Sequence, residues 1–511
     1  MISADVLGER ARLSPAAPAL VVVDPPLRLT YRQLDERTVR CALAWRRLGR
    51  GRGDRVAILA HNRVEYLEAF FAAGKTGSIL VTLGTRLTAA ELAPILEDSG
   101  ARVVFYGGEF AAVVATLREA VEGVEWAALD DPQSPGDARY RDLVAGVDPA
   151  GFAPTRCEPE DVHCLLYTSG TTGRPKGVMI PHRQVAWNGY NTVCCWQLRA
   201  DDVSLIFTLL YYAGGLIAFL VPIFTVGGTI VLHRGFDPAE IWSTVERERA
   251  TVMLGVPTIW QLLAEAPEFE RCDLSSLRGL YSGGAPLPTW IAEIYQRRGL
   301  VFKQGFGMTE VGVNCFAMTA EDSVAKLGSI GKPMMHTEMR LVGADGRDVP
   351  AGEVGEMWFR GPHVSLGYWN RPEATAEAYV EGGWFRSGDL ARRDEDGFFY
   401  IAGRAKEMFI SGGVNVYPAE IEAVLLQHPG VRDAAVVGVD DPTWGEVGVA
   451  FVVPLQVGSA EEESLLAFLG ERLARFKLPK RIVHRDALPR TAYGKVVKGE
   501  LRRSVLAENG G

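Results

Sequence analysis

The 511-residue chain has seven cysteines, at positions 41, 157, 164, 194, 195, 272 and 315, with no CxxC pair and no histidine beside them at zinc-ligand spacing. That excludes a zinc ribbon or a disulfide framework and predicts reduced, mostly buried thiols. An excess of basic residues is lacking too. The net charge of −9 excludes general nucleic-acid binding, which needs a basic face to displace counterions from phosphates. The opening MISADVLGERARLSP has no apolar run followed by a small-residue cleavage site, so no secretory signal is read there and the expected location is cytoplasmic. Charge disappears altogether from residues 204–232, a stretch long enough to span a membrane. Gly214, Gly215, Pro222, Gly227 and Gly228 interrupt it, however, so a strand, turn, helix and strand are expected there and no transmembrane span. No serine sits in a G-x-S-x-G elbow, which excludes an α/β-hydrolase.

What is present is the composition of a globular protein, 47% hydrophobic and 23% charged, in a chain long enough for two to four structural units. In the first half, helical patterns at residues 31–48 and 64–76 alternate with β-branched runs at 55–59 and 78–81. The rhythm returns at 229–232, 238–249, 252–254 and 258–264. Such alternation predicts βαβ units around a buried, largely parallel sheet. Beyond about residue 340, short strands at 352–359 and 397–401 are joined by Gly, Pro and Asp turns. The last hundred residues or so read as a compact α+β unit: helix 418–426, strands 431–439 and 448–453, helix 463–475 and strand 481–484. The expected architecture is α/β, a large N-terminal domain of βαβ-type subdomains with a small β-rich subdomain (1–403), then a junction (404–408) and a small α+β C-terminal domain (409–511).

The most informative segment is Tyr167-Thr-Ser-Gly-Thr-Thr-Gly-Arg-Pro-Lys-Gly-Val178, directly after an apolar run. Its glycines let backbone approach a phosphate closely, its hydroxyls donate hydrogen bonds, and Lys176 supplies positive charge. The G-x-x-x-x-G-K-[ST] spacing of a P-loop is absent from it. Five further pieces follow in order: Tyr281-Ser-Gly-Gly-Ala-Pro-Leu287, Gln304-Gly-Phe-Gly-Met-Thr-Glu310, Trp384-Phe-Arg-Ser-Gly-Asp389, Gly403-Arg-Ala-Lys406 and Arg490-Thr-Ala-Tyr-Gly-Lys495. Together they resemble the signature of the adenylate-forming superfamily of acyl- and aryl-CoA synthetases, nonribosomal peptide adenylation domains and firefly luciferase. The stretch from Lys406 to Pro418, KEMFISGGVNVYP, is most similar to the feruloyl-CoA, coumarate-like and fatty-acyl-CoA branch.

The resemblance implies ATP-dependent activation of a carboxylic acid to an acyl-adenylate with release of pyrophosphate, then transfer to coenzyme A. Attack of a carboxylate on the α-phosphate brings two anions together, so cations must screen them. By the resemblance, Thr168, Ser169, Gly170, Thr171, Thr172, Gly173 and Lys176 cradle the phosphates of ATP. Gly283, Gly284, Ala285, Gln304, Gly305, Phe306, Gly307, Met308 and Thr309 continue the nucleotide site. Glu310, with Thr168, holds Mg²⁺, whose presence would explain a carboxylate beside phosphate oxygens. Asp389 accepts from the ribose hydroxyls and Arg404 reinforces the nucleotide. Lys495 enters the site for adenylation, Lys406 is the hinge about which it later withdraws, and Ser411, Gly412 and Gly413 line the pantetheine tunnel. Trp444 and Phe476 are candidates for the CoA end.

For the acid, the matching stretches offer Trp187, Tyr190, Tyr211, Tyr212, Gly214, Trp260, Gly283, Gly305 and Val311. None is a lysine or an acid, which favours an aromatic or medium-chain acid over an amino acid. Many members of that branch carry Phe-His where this chain has Tyr211-Tyr212, and tyrosine where it has Phe306. A neutral phenol cannot do the proton chemistry of an imidazole near neutral pH. A carrier-protein thiol, an amine or an unusual oxyanion therefore stands as the alternative acceptor. A catalytically silent nucleotide-binding protein would have no physical need for Thr168, Lys176, Glu310, Asp389, Arg404 and Lys495 together. The partner is a small-molecule acid, and the chain is expected to be a monomer or a homodimer.

Overall fold

In a computed structural model, residues 4–132, 134, 136–168, 175–411, 414–456, 458–491 and 495–509 are described. Two seven-stranded sheets dominate the first 304 residues. One contains Arg55–Leu59, Ile79–Thr82, Val103–Tyr106 and Val162–Thr168 in parallel, closed at one edge by the antiparallel Lys176–Pro181. The other runs Phe302–Gln304, Gly279–Ser282, Val252–Gly255, Val203–Ile206, Thr229–Leu232 and Pro18–Val22 in parallel, with Leu27–Thr30 antiparallel at the edge. Ile79–Thr82 is buried along its whole length, as a parallel strand covered on both faces must be.

Strand alternation distributes the side chains to three layers of core. Ile58, Leu80, Ile206 and Ile230 face inward, where helices Tyr31–Arg47, Val64–Thr76, His182–Trp196 and Leu220–Val226 pack between the sheets. Leu59 and Val81 face an outer layer with Ala89–Ser99 and Ala111–Ala120; Leu205 and Val231 face another with Pro238–Glu248, Pro257–Glu265 and Thr289–Gln296. The two-residue period thus sends neighbours in sequence to different cores. Helix Tyr31–Arg47 starts where Thr30 and Gln33 close a reciprocal capping box, and Val64–Thr76 stops at Gly77, whose φ of 73° suits glycine.

A third, antiparallel sheet joins Glu338–Val342, Val354–Arg360, Trp384–Arg393, Tyr379–Val380 and Phe399–Arg404. The chain changes sheets between Arg404 and Phe409, crossing one short turn, Ala405–Glu407. Beyond it Val431–Asp441 and Gly445–Pro454 form a long hairpin covered on one face by Pro418–Leu425 and Glu462–Gly470 and on the other by the C-terminal helix. Lys498 bonds both Glu407 on the turn, at 3.0 Å, and Glu422, at 2.7 Å.

The fold is the expected α/β architecture with a β-rich third sheet and a small α+β C-terminal unit. Residues 204–232 are strand, two short helices and strand, and among the described residues no helix is long and apolar enough to cross a membrane. One element is shorter than its sequence predicts. The helix expected over 463–475 ends at Gly470, and the turn Arg475–Lys477 redirects the chain so that Arg481–His484 can run parallel to Gly445–Pro454. Glycine weakens a helix, and strand pairing outweighs the helical propensity of the residues that follow.

Two fully buried imidazoles stack edge to face, His163 and His182, with Phe70 against His163. Among the described residues neither ring nitrogen of His163 has a hydrogen-bond partner. Burial holds both pKa values below the ordinary 6.5, that of His182 at about 4. Below about pH 6.5 the unfolded chain takes up protons that the folded one refuses, so stability should fall as the pH drops toward 4. Thermal unfolding followed from pH 8 to 4.5 should show this decline, and His163→Leu should flatten it; a slope equal to that of the parent would contradict the assignment.

Candidate active site

The candidate residues come from strand ends and turns at the carboxyl edges of the two large sheets, where open α/β sheets bind ligands, from the third sheet and from the C-terminal unit. Thr168 ends its strand directly opposite Lys176, which begins the next. Ser169, Gly170, Thr171, Thr172 and Gly173 between them lie outside the described residues, as do Gly412 and Gly413. Gly305 donates its N–H to the Ser282 carbonyl at 3.0 Å, and a Cβ on Gly283 would stand 3.7 Å from the Gly305 carbonyl, so these two glycines bring strand ends together. Gly307 admits no side chain, since a Cβ there would meet the Val313 carbonyl at 2.1 Å.

Thr309 and Glu310 occupy a single tight turn, Thr309–Val311. Buried amides fix it. Gln184 donates to the Thr309 carbonyl at 2.8 Å, while Asn188 accepts from the N–H groups of Val313 and Asn314 and donates to the Ile217 carbonyl. Glu310 is 7% exposed and accepts from the Tyr368 hydroxyl at 3.1 Å. Burial raises its pKa, against the lowering by hydrogen bonds and by the charges of Arg404 and Lys495.

Asp389 and Arg404 are direct partners across two antiparallel strands, and the guanidinium meets the carboxylate with its Nε at 2.8 Å and Nη2 at 3.5 Å. Asp389 is buried, which raises its pKa; Arg404, then Lys495, oppose the rise. Lys495 donates its N–H to the Thr491 hydroxyl at 3.2 Å, and its carbonyl accepts from the Thr491 N–H at 2.8 Å. Solvent reaches this residue, yet crowding by protein atoms lowers its pKa, Arg404 adds to that, and Asp389, Glu310 and Glu407 pull the other way. A lysine carried by the C-terminal unit is thus within electrostatic reach of Glu310 and Asp389. Lys406 sits exposed on the turn between the two sheets.

The residues expected around the acid divide. Tyr211 and Tyr212 have ring centroids 4.2 Å apart; Tyr211 is buried, next to the helix Ala213–Leu216 that contains Gly214. Gly283 and Gly305 lie together as described. Trp260, by contrast, belongs to the outer core with Tyr295 and Phe302, because helix Pro257–Glu265 packs on the far face of its sheet. Val311 and Phe306 pack in the core of the third sheet, Phe306 stacked on Phe359. Trp187 meets His336 and Tyr190, the latter exposed on the outer ridge of its helix. Gln304 accepts from the Leu287 N–H at 3.1 Å, Met308 is half-buried, and Gly284 and Ala285 are exposed. Ser411 is buried and pairs with Gly445, while Trp444 and Phe476 are exposed on the C-terminal unit.

Three contributors were not read from the sequence: Tyr368, Gln184 and Asn188. The two amides did leave a signal, since polar side chains on the inward stripe of an otherwise well-buried helix need partners.

Residues 7–369 match the AMP-binding enzyme family and residues 420–495 its C-terminal domain. The chain is 44% identical over 498 residues to a feruloyl-CoA synthase of Amycolatopsis sp, covering 97% of each. Its structure resembles that of the anthranilate CoA ligase AuaEII in complex with anthranoyl-AMP, with a TM-score of 0.91 and 27% identity over 100% of this chain and 99% of the other. It also resembles the amide bond synthetase McbA from Marinactinospora thermotolerans, with a TM-score of 0.89 and 30% identity over 98% and 99%. This chain belongs to the AMP-binding enzyme family, in the acyl-CoA synthetase branch of the adenylate-forming enzymes. Its enzyme class is AMP-forming acid–CoA ligase.

Because the fold holds Glu310 with a raised pKa, an ionised carboxylate there costs stability at neutral pH, and the cost vanishes once the pH is low enough to protonate it. Glu310→Gln should therefore unfold at a higher temperature than the parent at pH 8 without ligands, with the gap closing toward pH 4.5. Calorimetric scans at both pH values test this; a destabilised variant at pH 8 would refute it.

Proposed function

We propose that the chain activates an aromatic or medium-chain carboxylic acid with ATP, releases pyrophosphate and transfers the acyl group to coenzyme A, with Lys495 as the main catalytic side chain. The observation that carries this reading is the convergence of Lys495 with Glu310, Asp389 and Arg404, which come from three separate stretches of chain. An ammonium there offsets the mutual repulsion of carboxylate and α-phosphate, and a compact charge on a flexible stem can reach both.

Asp389 is the acceptor for the ribose hydroxyls, and Arg404 keeps that carboxylate oriented. Thr309 and Thr168 contribute hydroxyls, Lys176 a charge for the outer phosphates. The carboxylate of Glu310 and the threonine hydroxyls are hard oxygen donors, a set that suits Mg²⁺, which keeps waters and phosphate oxygens as its remaining ligands. When bound, Mg²⁺ would neutralise phosphate charge.

The turn Ala405–Glu407 is the one crossing between the third sheet and the C-terminal unit, so rotation at Lys406 would withdraw Lys495 and admit a thiol to the same pocket. The N-terminal domain is then 1–403, the hinge 404–408 and the moving domain 409–511. For the acid, an aromatic ring fits the paired phenols of Tyr211 and Tyr212 and the glycine-lined approach at Gly283 and Gly305. A second reading, an amine acceptor, has in its favour that neither phenol offers the basicity of an imidazole, and that the chain resembles an amide bond synthetase as well as CoA ligases.

The test is pyrophosphate release with a panel of aryl and fatty acids, with CoA, with an amine and with neither. An aryl acid with CoA should give AMP, pyrophosphate and thioester; an amide formed faster than thioester would overturn the acceptor, and ADP with orthophosphate would overturn the whole reading. Lys495→Ala should lose adenylation by about 10³-fold, yet still convert a supplied acyl-adenylate to thioester. Equal loss in both half-reactions would contradict its assigned role.

A further inference from the structure

We propose that Tyr368 is a positioning residue that couples the two phosphate-binding elements, holding Glu310 for a divalent cation with its hydroxyl and seating the Lys176 ammonium on its ring. The hydroxyl donates to Glu310 Oε1 at 3.1 Å, and Lys176 Nζ stands 5.0 Å from the ring centroid. Lys176 forms no ion pair among the described residues, so the ring fixes its place without neutralising the charge that a phosphate needs.

The side chain can do this because its backbone is bolted on both sides. Leu366 and Trp369 donate to the carbonyls of Met179 and Gly177, at 3.0 and 2.7 Å, and Met179 donates to the Gly367 carbonyl, so the segment is held beside Lys176–Pro181 in an antiparallel bridge that pairs Tyr368 with Val178. The Tyr368 N–H donates to the Thr375 hydroxyl at 3.0 Å. Trp369 and Asn370 donate to the Asp98 carbonyl, and Arg371 meets the Asp98 carboxylate at 2.8 Å. Gly367, at φ +119°, has no room for a Cβ, which would meet Thr375 at 2.4 Å. A rigid phenol between a strand-end lysine and a buried carboxylate places both at a fixed distance before ATP arrives.

The inference rests on the reading of Glu310 as the metal-holding carboxylate, and the experiment separates the two. ATP binding is measured by calorimetry on the full chain, with and without Mg²⁺, for the parent, Tyr368→Phe, Tyr368→Leu, Glu310→Gln and the Tyr368→Phe, Glu310→Gln double variant. Tyr368→Phe keeps the ring and loses the hydroxyl: metal-free affinity should be unchanged, while the tightening caused by Mg²⁺ should shrink about tenfold, the scale of a hydrogen bond to a charged group. Tyr368→Leu should in addition weaken metal-free binding several-fold. In the Glu310→Gln background, Tyr368→Phe should change nothing further. Undiminished tightening in Tyr368→Phe, or equal weakening with and without Mg²⁺, would overturn the proposal, and metal-free binding unaltered by Tyr368→Leu would remove its lysine half. If Glu310→Gln itself leaves the tightening intact, the metal assignment falls and this proposal with it, while acid activation, read by pyrophosphate release, stands independently.

Discussion

The organisation of this molecule depends on one electrostatic arrangement: buried carboxylates at Glu310 and Asp389 held near the cations Arg404 and Lys495. Removing carboxylates from water raises their pKa, and the surrounding fold has to counter that rise. Arg404 does so for Asp389 through a two-point contact that strand register imposes, since the two residues face each other across the same antiparallel pair. Glu310 is served by the Tyr368 hydroxyl and by more distant positive charge.

The scaffolding around that arrangement explains its rigidity on one side and its freedom on the other. Gln184 and Asn188 tie the Glu310 turn and the segment after it to a helix buried between two sheets. The Leu366–Trp369 segment is laced to the strand that begins at Lys176. Lys495, in contrast, arrives on a unit with its own sheet and two cores, joined through a single short turn. Its proximity to the carboxylates is a matter of domain placement, so a modest change of backbone angles at the turn could remove it while leaving Asp389 and Glu310 where they are.

How far the sequence discloses this varies by element. Strands 55–59, 229–232 and 481–484 and helix 64–76 are legible to the residue, because β-branched runs and a 3.6-residue period leave few alternatives. Helix 463–475 is overextended, because the strand pairing that curtails it lies outside any local window. Trp260 shows the matching failure in the pocket: an aromatic on a motif-flanking helix reads as substrate-lining, but which face of a sheet a helix covers is set by crossover topology. Tyr368 stayed unread because its importance lies in two neighbours distant in sequence, not in its own surroundings.

The sequence alone therefore determined the α/β architecture, the order of the glycine-rich and charged segments, and the family and acid-activating chemistry that they imply, since these depend on local periodicity and residue type. Only the tertiary structure decided which charges meet, which aromatics belong to cores, and that a tyrosine links Lys176 to Glu310. The physical reason is range: hydrophobic periodicity and turn chemistry act over a few residues, whereas burial and Coulomb interactions depend on distances that exist only after the chain has closed on itself.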